Sequence, residues 1–378
     1  MGDGLRVLVH GTGFAGQGHA AAFRAAGAEI VGMVGRTAHV VEEVAGRMGI
    51  PHAGTDWAEA LEVCKPDVVS VATPGGAHFE PIRQAIAAGA HVFCDKPMTE
   101  SGETAAELRR LAEEAGVKTC YAASFRYTPS VLHAQRLVAD GAIGEPTEVE
   151  CMSHFNLERE IPFGWSHQKS AGGGRLNNNF THTLSIVTSV VGEGVREVFG
   201  DVRDDLGRAP IVEGVHDFTK RRSFIPKDLD DPSLKWGESD VEWSYTVLAR
   251  IESALARQPV SVLFKHGGLV PRFGDDHIVF YGTEGAIHLK GHYGSGQLSL
   301  HDGSGWTDLP LPDDIAAEVP DVEGETEQCW HRLVRDFTRD IRGEAVAPYP
   351  TFREGARYQA IIDVIRASAG WTDVRHLG

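Results

Sequence analysis

The chain has 378 residues, of which 42% are hydrophobic and 24% charged. That length accommodates two or three domains with a sizeable core, and the balance excludes a mainly disordered or fibrous protein. Acidic residues outnumber basic ones by 53 to 36, a formal net charge of −17, and no basic block stands out against that field; nucleic acid and anionic membrane surfaces are not expected partners. No stretch approaches the ~20 apolar residues of a bilayer span. The opening residues lack the basic, apolar and small-residue regions of a signal peptide, so a cytoplasmic protein is expected. Cys64, Cys94, Cys120, Cys151 and Cys329 are odd in number, scattered and without a Cys-x-x-Cys, which reads as reduced thiols and no zinc site. No His-Glu-x-x-His occurs, and no metal is expected.

In chain order, the apolar run 5–10 predicts a buried strand, 17–26 a helix, 29–34 a strand and 38–48 a helix. Strands follow at 67–72, 91–94 and 118–123, with helices at 80–88 and 101–115, the latter capped by Ser101. This alternation predicts an α/β domain, a doubly wound parallel sheet of the Rossmann type, over residues 1–125. Residues 126–378 read as a second, α+β domain. A helix near 130–140 precedes strands at 147–155, 241–253, 260–266, 277–281 and 286–290, which fit a large open, mostly antiparallel sheet. The turn Gly282-Thr283-Glu284-Gly285 joins the last two. Helices at 325–341 and 352–369 close the chain and can pack back on the first domain. Residues 201–240, with Lys220-Arg221-Arg222, read as a long loop or insertion.

The first motif is Gly11-Thr12-Gly13-Phe14-Ala15-Gly16, after a predicted strand and opening a helix. In that context the glycines serve a tight turn, close approach of a pyrophosphate, and helix–strand packing. The helix N-terminus offers N–H groups to the anion. About 20 residues on, an NAD site commonly carries an acid for the ribose. Here Gly35-Arg36-Thr37 stands there, which favours NADP over NAD, since Arg36 and Thr37 suit a 2′-phosphate; an arginine stacked on adenine or left in solvent is the alternative. The second motif, Asp95-Lys96-Pro97, ends a predicted strand and places an ammonium in the crevice where such sheets bind ligands. The third is Gly172-Gly173-Gly174-Arg175-Leu176-Asn177-Asn178-Asn179-Phe180-Thr181-His182. Its glycines read as a flexible approach to a helix on which Asn178 and His182 share a face. That pair can hydrogen-bond a substrate's hydroxyls, although a lone helical histidine is more often structural.

At these motifs the chain resembles the glucose–fructose oxidoreductase / inositol dehydrogenase family, Gfo/Idh/MocA. The cofactor half is similar at the glycine motif, at Thr73-Pro74 with His78, and at Asp95-Lys96-Pro97, where the family usually has Glu-Lys-Pro. Phe125-Arg126-Tyr127 with Pro129, the triple glycine with Leu176, Gly282-Thr283-Glu284-Gly285 and the last helix with Ser368 complete the likeness. It implies a nicotinamide-dependent oxidoreductase acting on a secondary alcohol or ketone of a sugar, inositol or similar cyclic polyol. It implies that residues 126–378 form a substrate-binding and oligomerisation domain with a large open sheet, through which the protein assembles as a homodimer or homotetramer. Lys96 and His182 take the family's catalytic positions. Gly11 to Gly16, Arg36, Thr37, Thr73, Pro74, His78, Asp95 and Lys96 would hold the cofactor. Asn178, Arg126, Trp165, His167 and Arg175 would hold the substrate, with Trp165 either a sugar platform or a core residue.

The family's Asp-x-Gly-x-His-x-x-Asp reads Asn178, Phe180, His182 and Ser185 here. No aspartate is present to stabilise an imidazolium, so Lys96 becomes the better base. Two rival readings are a glycosidase-type enzyme that oxidises transiently with bound NAD, and a non-catalytic dinucleotide sensor.

Overall fold

The computed structural model describes residues 4–155, 157–192, 194–215, 218–270, 276–367 and 370–377. The first half is built from β1 (Arg6–His10), β2 (Glu29–Val34), β3 (His52–Gly54), β4 (Val68–Val71), β5 (His91–Cys94) and β6 (Thr119–Tyr121). They pair in parallel in the order β3-β2-β1-β4-β5-β6. Helices α1 (Phe14–Ala25), α2 (Ala38–Met48), α3 (Trp57–Cys64), α4 (Phe79–Ala87) and α5 (Gly102–Ala115) connect them. β4 is buried along its whole length, which is why its sequence is apolar but for Ser70, whose hydroxyl lies 3.1 Å from His19 Nδ1. The strand order reverses between β1 and β4, and the crevice outside their carboxyl ends is where such sheets bind ligands. β3 and α3 escape the sequence reading because they are short. Helix α1 begins three residues earlier than periodicity suggests, directly from the glycine motif.

Helix α6 (Pro129–Ala139) leads into the second half. There follow β7 (Pro146–His154), α7 (Thr181–Val191), β8 (Gly194–Arg203), β9 (Arg208–Pro210), β10 (Trp236–Glu238), β11 (Ser244–Glu252) and β12 (Val260–Gly267). The chain closes with β13 (His277–Gly282), β14 (Ala286–Lys290), β15 (Leu298–His301), β16 (Trp306–Leu309), α8 (Asp313–Ala317), α9 (Glu325–Ile341), α10 (Phe352–Ala367) and β17 (Thr372–Asp373). Nine strands form one sheet in the order β16-β15-β14-β13-β7-β12-β11-β8-β17. Only the β7–β12 pairing is parallel among them. Its inner face carries Val149, Cys151, Tyr245, Val247, Val262 and Phe264, all buried.

The two halves share a continuous core. Helix α9 lies on α1, where Gly18 leaves room for the Trp330 ring. Helix α10 lies on α5, with the Gly102 amide donating to Asp363 at 2.6 Å, and its Ile365 side chain fills the space above Gly200 on β8. Residues 201–240 are not simply a loop. β8 runs to Arg203, β9 and β10 form a two-stranded ribbon, and a 3₁₀ helix spans Phe218–Phe224. Ser368 and residue 369 of the expected last helix lie outside the described residues. No helix among the described residues is long and apolar enough to cross a membrane.

Candidate active site

The glycine motif sits at the carboxyl end of β1. Gly11 has φ +124°, and a Cβ there would lie 2.6 Å from the Ala72 carbonyl oxygen. Gly16 packs directly on the Gly11 carbonyl, with no room for a side chain. Gly13 differs: a Cβ there meets nothing within 4 Å. It begins α1 with no side-chain cap and no acid in the first turn. The first N–H groups of that helix are therefore left open at Gly13, which fits a dinucleotide's pyrophosphate. Thr12 anchors the turn by accepting from Gln17 at 2.8 Å, Ala15 is half-buried, and Phe14 lies against Trp330. Past β2, Gly35 lies against Thr12, so Arg36 and Thr37 follow directly beside the glycine turn. Arg36 is exposed, and the Thr37 hydroxyl makes no cap bond.

After β4, Thr73 and Pro74 enter a 3₁₀ turn. His78 is fully buried and does not face the crevice. Its Nε2 lies 2.6 Å from the Thr73 carbonyl oxygen and its Nδ1 3.4 Å from the Cys94 thiol. Nδ1 also lies 3.1 Å from the Met98 carbonyl oxygen, and burial pushes the ring's pKa down against the opposing pull of these carbonyls. His78 braces the Thr73 turn from behind.

Asp95 and Lys96 leave the carboxyl end of β5. Burial raises Asp95 to about 6, and its Oδ1 accepts from the Lys96 amide at 2.9 Å. Lys96 is half-buried, and its Nζ donates to Asn178 Oδ1 at 3.3 Å, the bond that closes the site across the two halves. Burial depresses the Lys96 pKa; the Asp95 charge opposes this and the Arg175 charge adds to it.

The triple glycine is a packed approach, not a flexible one. A Cβ at Gly172 would lie 3.1 Å from Gly75, and one at Gly173 would lie 2.6 Å from the Trp165 carbonyl oxygen. Gly174, at φ +96°, sits against the Glu242 carboxylate and Arg366. That tight passage delivers the chain into a single π-helical turn, Leu176–Phe180, ahead of α7. Turns of that kind recur at functional sites. The three asparagines diverge there. Asn177 accepts from Gln359 on α10, Asn178 accepts from Lys96, and Asn179 bonds Ser153, Tyr245 and Tyr293.

His182, at the start of α7, is 5% exposed, with its ring edge-on to Phe125 at 4.7 Å. Its Nδ1 is buried without a hydrogen-bond partner, so Asn178 and His182 do not form the bonded pair that a shared helical face suggests. Burial, then the charges of Lys96, His292 and Arg175, hold His182 well below the usual histidine pKa, so it is neutral. Phe180 packs on Tyr245 and Phe264 in the core and does not line the pocket. Ser185 donates to the Ala123 carbonyl.

Arg175 is 6% exposed. Its Nε donates to His266 Nε2 at 2.9 Å, and its guanidinium lies over the Phe155 ring. His266 therefore carries its proton on Nδ1, which donates to Ser153 Oγ at 3.1 Å. Trp165 is half-buried against Phe218 of the insertion at 5.3 Å. His167 is fully buried on Phe163 and Trp243. Its Nδ1 accepts from the Gly164 amide, and burial with the nearby Arg221 charge pushes its pKa down to about 4. Arg126 lies in the 3₁₀ turn Ser124–Tyr127, whose carbonyl Gln135 bonds. Arg221 and His266 were not singled out from sequence. Arg221 stands in the basic triplet of the insertion, which was a visible signal; His266 gives none, as it is a single histidine in a strand.

Comparison with known proteins agrees with the two-part fold. Residues 5–123 match the Gfo/Idh/MocA oxidoreductase family's NAD-binding Rossmann fold, and residues 131–288 match its C-terminal domain. Levoglucosan dehydrogenase of Pseudarthrobacter phenanthrenivorans is 30% identical over 201 residues, 50% of this chain and 52% of that protein. D-xylose dehydrogenase of Paenarthrobacter nicotinovorans is 25% identical over 166 residues, 43% of each chain. The chain thus spans about half the length of the curated relatives it matches, or somewhat less. Among solved structures, levoglucosan dehydrogenase with NADH and levoglucosan superposes with a TM-score of 0.82 over 98% of this chain and 100% of that one, at 22% identity. An NAD-binding oxidoreductase from Klebsiella pneumoniae gives 0.79 over 98% and 99%, at 24% identity. These two likenesses are of fold. The family matches cover more than half of the sequence in the order of its two halves, and the chain belongs to the Gfo/Idh/MocA oxidoreductase family.

Proposed function

We propose that the protein is a dehydrogenase or reductase acting on a secondary alcohol or ketone of a sugar, inositol or related cyclic polyol. The observation that carries this reading is the Lys96–Asn178 bond at 3.3 Å, beside neutral His182 and on the same carboxyl edge of the parallel sheet as the open glycine turn. A bound nicotinamide dinucleotide would supply the hydride acceptor or donor. The chain's own residues do the rest. Gly13 and the first turn of α1 seat the pyrophosphate, and Thr73, Pro74 and Asp95 border the crevice. Depressed in pKa by burial, Lys96 takes the hydroxyl proton in the oxidation direction. Asn178 orients Lys96 without adding a charge that would hold it protonated. His182 offers a second nitrogen to the same oxygen, while Trp165, His167, Arg126 and Arg175 border the substrate.

The exposed Arg36 beside the glycine turn supports a preference for NADP over NAD. Exposed Tyr281, Trp306 and Trp371 on the outer face of the nine-stranded sheet support a homodimer or homotetramer formed there. The five buried free cysteines, Cys64, Cys94, Cys120, Cys151 and Cys329, suit a reducing, cytoplasmic setting.

The test is cofactor reduction with a panel of polyols, using wild type and Lys96→Ala. Turnover should fall by roughly 10²–10⁴ in the variant, the range for general acid–base catalysis, with dinucleotide Kd retained. Undiminished turnover in Lys96→Ala would move the proton transfer to His182.

A further inference from the structure

The surroundings of Arg175 carry more positive charge than a neutral sugar needs. Arg175 uses only Nε, on His266; its Nη2 is buried and donates to nothing. Arg221 comes from the insertion, with its guanidinium stacked on Phe218 at 3.7 Å and one bond, Nη1 to Ser166 Oγ at 3.3 Å. The two arginines are close enough that burial and the Arg175 charge together push Arg221 down to about 10. The Arg175 charge also reaches Lys96 and His182. His167 adds a third orphan: its Nδ1 accepts a bond, so the neutral ring carries its proton on Nε2, which is buried without a partner.

The nearby carboxylates are committed elsewhere. Glu242 is held by Arg366 at 3.0 Å through both oxygens, and it accepts from the Leu176 amide at 2.9 Å. Glu158 pairs with Arg222. Among the described residues, no acid lies within ion-pair distance of Arg175 or Arg221. Donors without acceptors call for a ligand group that only accepts, and a buried cation such as Arg175, with half-buried Arg221 beside it, calls for an anion. The aromatic rings cover the faces of both guanidiniums and leave their edges, which suits the planar two-oxygen geometry of a carboxylate.

We infer that the substrate is a sugar acid, a polyol whose carboxylate is held by Arg175 and Arg221 while a ring hydroxyl reaches Lys96. This rests on the dehydrogenase reading above, and it makes the insertion a specificity element, since Arg221 belongs to it.

The experiment titrates the protein, saturated with dinucleotide, with matched pairs: galactose and galacturonate, glucose and glucuronate, glucose and gluconate, plus glucose 6-phosphate. Binding is read by calorimetry and cofactor reduction is read in parallel. In at least one pair the acid should bind tenfold or more tightly than its neutral partner. Arg221→Met, a change at a residue with a single hydrogen bond in the insertion, should remove most of that advantage, and Arg175→Met should do the same. If no acid binds better than its neutral partner, or if Arg221→Met keeps the full advantage, the inference is overturned. Preference for the phosphate over every carboxylate overturns it too. Reduction with neutral sugars and no acid preference would leave the dehydrogenase reading standing alone. Selective acid binding without cofactor reduction would uphold the sugar-acid site and defeat the dehydrogenase reading.

Discussion

Two glycine runs lead into two helices in this molecule, and they do opposite things. At Gly11–Gly16 the outer glycines are pressed against the Ala72 and Gly11 carbonyls, but Gly13 faces empty space at the start of α1. At Gly172–Gly174 every position is filled: Gly75 and Pro97 stand over the first, the 165–168 carbonyls over the second, and Glu242 with Arg366 over the third. The first run leaves room for an anion. The second draws the chain close enough to the cofactor half that Asn178 reaches Lys96. Glycine before a helix is therefore one signal with two physical uses, and only the surrounding atoms tell a cradle from a close-packing joint.

The sharpest way to break this contrast is to put a methyl group in each run. Gly174→Ala forces a side chain onto a φ of +96° and into the Glu242–Arg366 pair. A loss of roughly 2–5 kcal/mol is expected from strain and overlap together. Gly13→Ala should change stability by no more than about 0.5 kcal/mol, because nothing lies within 4 Å. It should still weaken dinucleotide binding by roughly tenfold, about 1.4 kcal/mol. Urea midpoints and cofactor titrations on the two variants decide this. A Gly13→Ala protein with undiminished cofactor affinity would end the cradle reading.

The next effect sharpens what the second run delivers. In Asn178→Asp a carboxylate replaces the neutral oxygen 3.3 Å from Lys96 Nζ. A negative charge there favours the ammonium and raises the lysine pKa. The basic form then appears only at higher pH, so the rising limb of kcat/KM against pH should move up by roughly 1–2 units. His182 shares no hydrogen bond with Asn178, so Lys96 is the group this substitution reaches first. An unmoved limb would mean that Lys96 is not the titrating base.

The smallest effect concerns the rim of the first run. Arg36→Ala should weaken NADP by roughly tenfold, the worth of one charge-assisted hydrogen bond, and leave NAD nearly unchanged. Parallel titrations with the two dinucleotides measure it; equal losses would place Arg36 on the adenine that both share.

Much of the first half was legible because its determinants are local. Apolar runs of four to six residues, a glycine turn after β1 and Asp95-Lys96 after β5 are neighbours in sequence and act as neighbours in space. Ser101 caps α5 through the Thr104 amide, as its position ahead of an apolar helix suggests. In the second half the same reasoning missed β8. Its inward residues are interrupted by Gly200, whose missing side chain is supplied by Ile365 from α10, far away in the sequence.

By itself the sequence determined the parallel sheet, the glycine turn that opens α1 and the lysine at a strand end, because strand burial and turn chemistry act over a few residues. The tertiary structure alone decided the rest of the site. Helical spacing pairs Asn178 with His182, but the π-turn sends three successive asparagines to α10, to Lys96 and to the large sheet. Arg175 finds His266, 91 residues away, and Arg221 finds Ser166, 55 residues away. Such contacts are set by the packing of whole elements, and each depends on all the chain between the partners, so no local pattern in the residues records them.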